Sequence, residues 1–202
     1  MEASGANVIW TDWTAATFGA SGAASGTISS LGGPVSVSYS GEVAGPTQVA
    51  GGINYWAVNA PFLSGVVSNE PPASDIITLS GGIGVTSTLT FSRPLRNPVM
   101  AILSLGAPPL AVDYDFDQPF DVLSFGPGHW GGPGTLTELA GDVLRGVEGH
   151  GVIRFQGSIT SISWTAGPRE IWHGFTIGIV PEPSSVVLLL VAALPIVMRR
   201  AR

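Results

Sequence analysis

Three aspartates, Asp113, Asp115 and Asp117, recur at every second residue in the run VDYDFDQPFD, with Asp121 close behind. In an extended strand successive side chains point to opposite faces, so the first three carboxylates share one face, with Cα atoms about 6.5–7 Å apart. Like charges in such a row repel unless water or a cation screens them. A hard cation such as Ca2+ takes about six to eight oxygens, and the row could supply part of that shell. The EF-hand order is absent, because its sixth position would be Gln118 in place of Gly and its twelfth Ser124 in place of Glu. A straight strand also sets same-face carboxylates side by side, not toward one ion. The row is read first as a solvated acidic face, second as a calcium site at Asp113, Asp115 and Asp117. The carboxylate pair of a glycosidase comes last, because nothing sets one Asp apart as the acid with a raised pKa.

The histidines are His129, His150 and His173, in the contexts GPGHWGGPG, EGHG and WHG. Glu148 with His150, and Glu170 with His173, can be drawn as metal ligands. The Glu-x-x-His device of di-iron proteins, however, needs two copies on helices, and one copy is present here. Turn or strand-edge histidines with local hydrogen bonds are the expectation. Trp10, Trp13, Trp56, Trp130, Trp164 and Trp172 are many indoles for this length. Trp56 in NYW and Trp130 in GPGHWGGPG fall in expected loops, where a ring could stack on a sugar. The competing reading, that indoles fill or seal the core, is the stronger one, and Trp164 and Trp172 are assigned to the core.

Several chemistries are excluded by what is missing. The chain has no Cys, so disulfides, thiolate metal sites and cysteine nucleophiles are ruled out. It has no Lys, no phosphate loop and no Gly-x-Ser-x-Gly elbow. Eight Arg face 14 acids, a net charge of -6, which disfavours nucleic acid. Charged residues are only 11% of the 202, while Gly 28 and Pro 16 argue against long helices.

The elements that would carry these residues read as strands. Val35, Val37 and Tyr39 alternate with Ser36, Ser38 and Ser40; Leu89 and Phe91 alternate with Thr88 and Thr90. Val99 to Leu105 is almost continuously apolar, the pattern of a central strand covered on both faces. Similar alternation runs through 112–116, 153–156, 162–164 and 175–179. The expected fold is all-β, a β-sandwich of about ten to twelve short strands, which could take jelly-roll form. Loops are expected at 41–53, 62–75 and 125–134. Residues 1–180 form the body and 181–202 a separate terminal segment.

That segment opens with Pro181-Glu182-Pro183, two prolines that hold the chain extended. Ser184 to Met198 is uncharged and mostly aliphatic, followed by Arg199, Arg200 and Arg202. As a helix these 15 residues would span about 22 Å, short of the ~30 Å hydrocarbon core, which suits a temporary anchor. With no polar face and Pro195 inside it, a short apolar helix in the membrane is expected over a core helix. The arginines would then set topology by staying in the cytoplasm. The three-part order resembles the PEP-CTERM sorting signal of Gram-negative bacteria. The resemblance implies recognition, and cleavage near the triplet, by an exosortase-type membrane protease. NPVMAILSLG, YDFDQPFDVLSFGPGHWGGPGTL and GVEGHGVIRF likewise resemble the β-rich ectodomains joined to such signals.

An exported chain should start with a basic and then an apolar region, whereas MEASG starts as a mature domain would. The expectation is therefore a start codon farther upstream, or a truncated chain. The sequence points to a non-catalytic envelope or extracellular-matrix protein with no required cofactor, calcium being the one candidate. The alternative is a module binding carbohydrate of the exopolysaccharide type through Trp56 and Trp130.

Overall fold

The computed structural model of the chain describes residues 5–82 and 84–181. In chain order the strands are β1 (Ile9–Trp10), β2 (Asp12–Thr17), β3 (Gly19–Ser30), β4 (Gly33–Val43), β5 (Ile77–Leu79), β6 (Thr86–Arg96) and β7 (Val99–Leu105). They continue with β8 (Val112–Phe116), β9 (Phe120–Gly126), β10 (Thr135–Leu139), β11 (Val143–Val147), β12 (Gly149–Phe155), β13 (Ser158–Gly167) and β14 (His173–Ile179). The one helical turn among the described residues is a single 3-10 turn at Ala60–Phe62. The fourteen strands among the described residues exceed the expected number, because the bulged β2 and the short β1 and β5 carry too little alternation to be read.

The alternation has its expected physical consequence. Val35, Val37 and Tyr39 are buried while Ser36, Ser38 and Ser40 face solvent. All of β7 is buried. All strand pairs are antiparallel and fall in two sheets. One runs β10-β11-β8-β13-β6-β4-β3-β2; the other runs β14-β7-β12-β9, with β1 and β5 paired to β14 at different points along its length. From β5 to β8, and again from β11 to β14, consecutive strands alternate between the sheets. That alternation sets β5-β14-β7-β12 opposite β6-β13-β8-β11, with β9 and β10 inserted between β8 and β11.

The inner faces share one core. Met100, Ile102, Ile153, Phe155 and Phe175 from one sheet meet Val37, Tyr39, Leu89, Tyr114 and Trp164 from the other. Trp164 is its aromatic hub, packed against Tyr39, Tyr114, Phe116 and Phe175 at centroid distances of 5.1–6.0 Å. A second cluster explains why β7 is apolar on both faces. Val99, Ala101 and Leu103 on its outer side are covered by Tyr55, Trp56, Phe62, Val67 and Ile76. These come from the long connection between β4 and β5, which merges the two loops expected at 41–53 and 62–75.

Buried carboxylates tie these segments together. Glu42 on β4 accepts the N–H groups of Ser80 and Gly81, just after β5, at 3.1 and 2.8 Å. Asp75 accepts the Trp13 N–H at 2.9 Å, and burial pushes its carboxyl above the usual range. Glu182, Pro183, the apolar segment expected to be helical, and Arg199, Arg200 and Arg202 lie outside the described residues. Among the described residues no helix is long and apolar enough to cross a membrane.

Candidate functional site

Three connections converge at one end of the six-stranded sheet and bring four rings together. Tyr55 comes from the β4–β5 connection, His129 and Trp130 from the β9–β10 loop, and Trp172 from the residues before β14. Tyr55 stacks on Trp130 with centroids 5.5 Å apart and an interplanar angle of 27°. Trp172 meets both edge-on, at 5.1 Å from Trp130 and 5.2 Å from Tyr55. His129 closes the group at 4.8 Å from Trp130. Trp130 keeps 46% of its surface exposed, and Ile171, adjacent to Trp172 in the chain, and Ile53, two residues before Tyr55, are 85% and 56% exposed. Large apolar side chains left in water at one place mark a binding surface more often than scattered ones do.

The loop geometry fixes Trp130. Its turn closes with Gly131 N–H donating to the Gly128 carbonyl at 2.9 Å. A Cβ at Gly128 would collide with the His150 ring, so only glycine lets the loop lie this close. Gly131, at φ +73°, takes a conformation that side chains rarely adopt. Beneath the loop, His150 is fully buried, with Trp130 nearly parallel to it at 6.1 Å.

Polar groups support the platform from below. His150 Nδ1 accepts the Ser104 N–H at 3.3 Å, which leaves the proton of the neutral ring on Nε2. Burial first, and His129 second, push the His150 pKa down to about 4. The Ser104 hydroxyl donates to Glu148 Oε1 at 2.6 Å, and that oxygen lies 3.4 Å from His150 Nε2. Ser104 and Glu148 hold φ of +56° and +50°, strained values for residues with side chains, at the bulge where β7 and β12 shift register. The Ser104 proton is directed at a carboxylate and not at the imidazole. Nearby, Glu170 accepts the Gly106 N–H at 2.8 Å and pairs with His173 Nδ1 at 2.6 Å.

The structure brings together only some of the residues singled out above. Trp130 is exposed in a loop as expected. Trp56 is fully buried against Phe62, so it offers no ring to a ligand; its neighbour Tyr55 is buried too and serves to back Trp130. Trp172, assigned to the core, is half-buried, packed against the second core cluster and edge-on to Trp130. The residues two positions away on either side are Glu170 and Gly174, so the alternation of β14 does not extend to it. His129 lies in a turn and His173 bonds locally to Glu170, as expected, whereas His150 and His173 stand on inner strands of their sheet.

The acidic row does share the outer face of β8. Its repulsion is eased within the chain itself, where the Arg145 guanidinium grips Asp113 through two hydrogen bonds of 2.8 and 2.7 Å. Asp117 accepts the Ser163 N–H at 2.8 Å, which leaves Asp115 exposed between them. Among the described residues no group of three or more His, Asp or Glu is arranged to hold a metal ion. No family model, curated protein or solved structure matches this chain.

Proposed function

We propose that the chain is a non-catalytic exported protein of the envelope or extracellular matrix. Its body would be held briefly at the membrane by the terminal segment and released by an exosortase-type protease. One observation carries the reading: Pro181-Glu182-Pro183, an uncharged aliphatic stretch and a terminal Arg cluster follow one another in that order. Two further features support it. The final strand β14 ends at Ile179, two residues before the triplet, so the folded body hands the chain directly to the segment. The alternation of strands between β5-β14-β7-β12 and β6-β13-β8-β11 is the order of a jelly roll, a compact exported module in this reading.

The test is cleavage in cells that carry an exosortase. The full chain is expected to yield a shortened, released body, and Pro181→Ala with Pro183→Ala to stay membrane-bound. Equal release of both would refute the role of the triplet.

A second reading, carbohydrate binding, is favoured by the half-exposed Trp130 braced by Tyr55 and Trp172. Such a platform can stack on the apolar face of a sugar, while the indole N–H reaches a hydroxyl. Retardation of the protein by polysaccharide in a native gel, lost in Trp130→Ala, tests it. Undiminished retardation of that variant would remove this reading.

A further inference from the structure

The outer face of the eight-stranded sheet carries an unusual set of side chains. The strand register aligns Ser25, Ser38, Thr90 and Ser161 in one row across β3, β4, β6 and β13. A parallel row holds Ser40, Thr88 and Ser163. Neither row contains a charge, whereas exposed surfaces of soluble domains are roughly 25–35% charged. Charge lies around these rows: Asp12 on β2, Arg93 and Arg96 toward the end of β6, and Asp113, Asp115 and Asp117 along and just past β8. The hydroxyls of Ser25, Ser38, Thr90 and Ser161 make no hydrogen bond within the described chain, although Thr88 and Ser163 bond each other at 3.1 Å. Toward β2 the side chains shrink to Ala15 and Ala23, and a shallow depression of about 310 Å3 opens beside Ser25 and Ser38.

The partner follows from charge, size and twist. Each hydroxyl offers one donor and two acceptors, and an uncharged field gives neither a polyanion nor a polycation a counter-charge. Four strands about 4.8 Å apart and five residues long present roughly 300 Å2. A stable protein interface needs about 800 Å2 per partner, so a second copy of the chain would have to extend past this uncharged patch onto the acidic edge at β8. Adjacent strands rotate by about 20–25°, or roughly 60–75° across four strands, so a rigid planar lattice could touch only part of the face. A flexible chain can follow one row. We propose that this face binds a single chain of neutral polysaccharide along Ser25–Ser38–Thr90–Ser161, by hydroxyl-to-hydroxyl hydrogen bonds. The surface shares no residue with the aromatic end and stands independently of it.

The test uses the full chain in non-ionic detergent, electrophoresed through native gels containing dextran, hydroxyethylcellulose or alginate. Retardation by a neutral polymer and not by anionic alginate is expected. Ser38→Glu with Thr90→Glu should weaken it at least tenfold, and Ser38→Ala with Thr90→Val, which keeps the face uncharged, by a smaller factor. Should the Glu variant fail to fold, the Ala/Val variant decides, with wild-type melting as its control. Unchanged retardation of the folded variants overturns the proposal, as does retardation lost only in Trp130→Ala, which would assign binding to the aromatic end alone. Absence of retardation by either neutral polymer, or binding confined to crystalline cellulose or ice, also overturns it.

Discussion

Acidification should unfold this protein through His150. The ring is fully buried beneath Trp130, and burial together with His129 holds its pKa at about 4 against 6.5 in an open chain. Above pH 6.5 both folded and unfolded chains leave the ring neutral, and the shift has no effect. Between 6.5 and about 4 the unfolded chain takes up a proton that the folded chain does not, so stability falls as pH falls. At about 1.4 kcal/mol per pH unit, the window costs roughly 3 kcal/mol, or about 6–12 °C in melting temperature for a chain of this length. Asp75 acts in the opposite direction, because its raised carboxyl pKa makes the folded state hold a proton more tightly as pH drops. Other groups titrate too, so the contribution is isolated by difference. Wild type and His150→Gln, which keeps an acceptor for the Ser104 N–H, are melted between pH 7 and 4.5 by tryptophan fluorescence. The variant should start less stable and lose less on acidification. Parallel curves for the two proteins would refute a buried neutral imidazole at this position.

Three further outcomes follow from the geometry. Trp164→Ala removes the hub of the shared core and should cost about 3–5 kcal/mol in urea unfolding, more than any substitution at exposed Trp130; a loss below about 1 kcal/mol would contradict the packing. Gly128→Ala should push the β9–β10 loop off His150 and shift Trp130 emission, while leaving far-ultraviolet dichroism unchanged; an unchanged emission spectrum would speak against the close approach. Millimolar calcium should leave the melting temperature unchanged, because Asp113 and Asp117 are already engaged by Arg145 and the Ser163 N–H. A calcium-dependent rise abolished in Asp115→Asn would restore the acidic row as a metal site.

Strands with one dry and one wet face were legible because a period of two exposes their burial directly. Val35-Val37-Tyr39 and Leu89-Phe91 are examples, and β7 was legible from its unbroken apolar run. What covers the outer side of β7 was not. Trp56 and Phe62 reach it from a connection without periodicity, and no local signal distinguishes a tryptophan that seals a sheet from one that waits for a ligand. Tyr55 and Trp172 were missed for the same reason, since their grouping with Trp130 exists only once three distant segments meet. The pairing of Asp113 with Arg145 depends on the β8–β11 register, which spacing along the chain does not reveal. The hydroxyl rows show the reverse situation. Each Ser or Thr was visible as the wet half of a strand, but their alignment into a surface needed the registers of four strands.

The terminal segment is proposed to decide where the body resides, and one fractionation puts that to the test. Cells producing the full chain, and cells producing the chain ended at Val180, are separated into envelope and soluble fractions without an active exosortase. The full chain should pellet with the envelope and the shortened chain should not. Equal envelope association of the two would contradict the account.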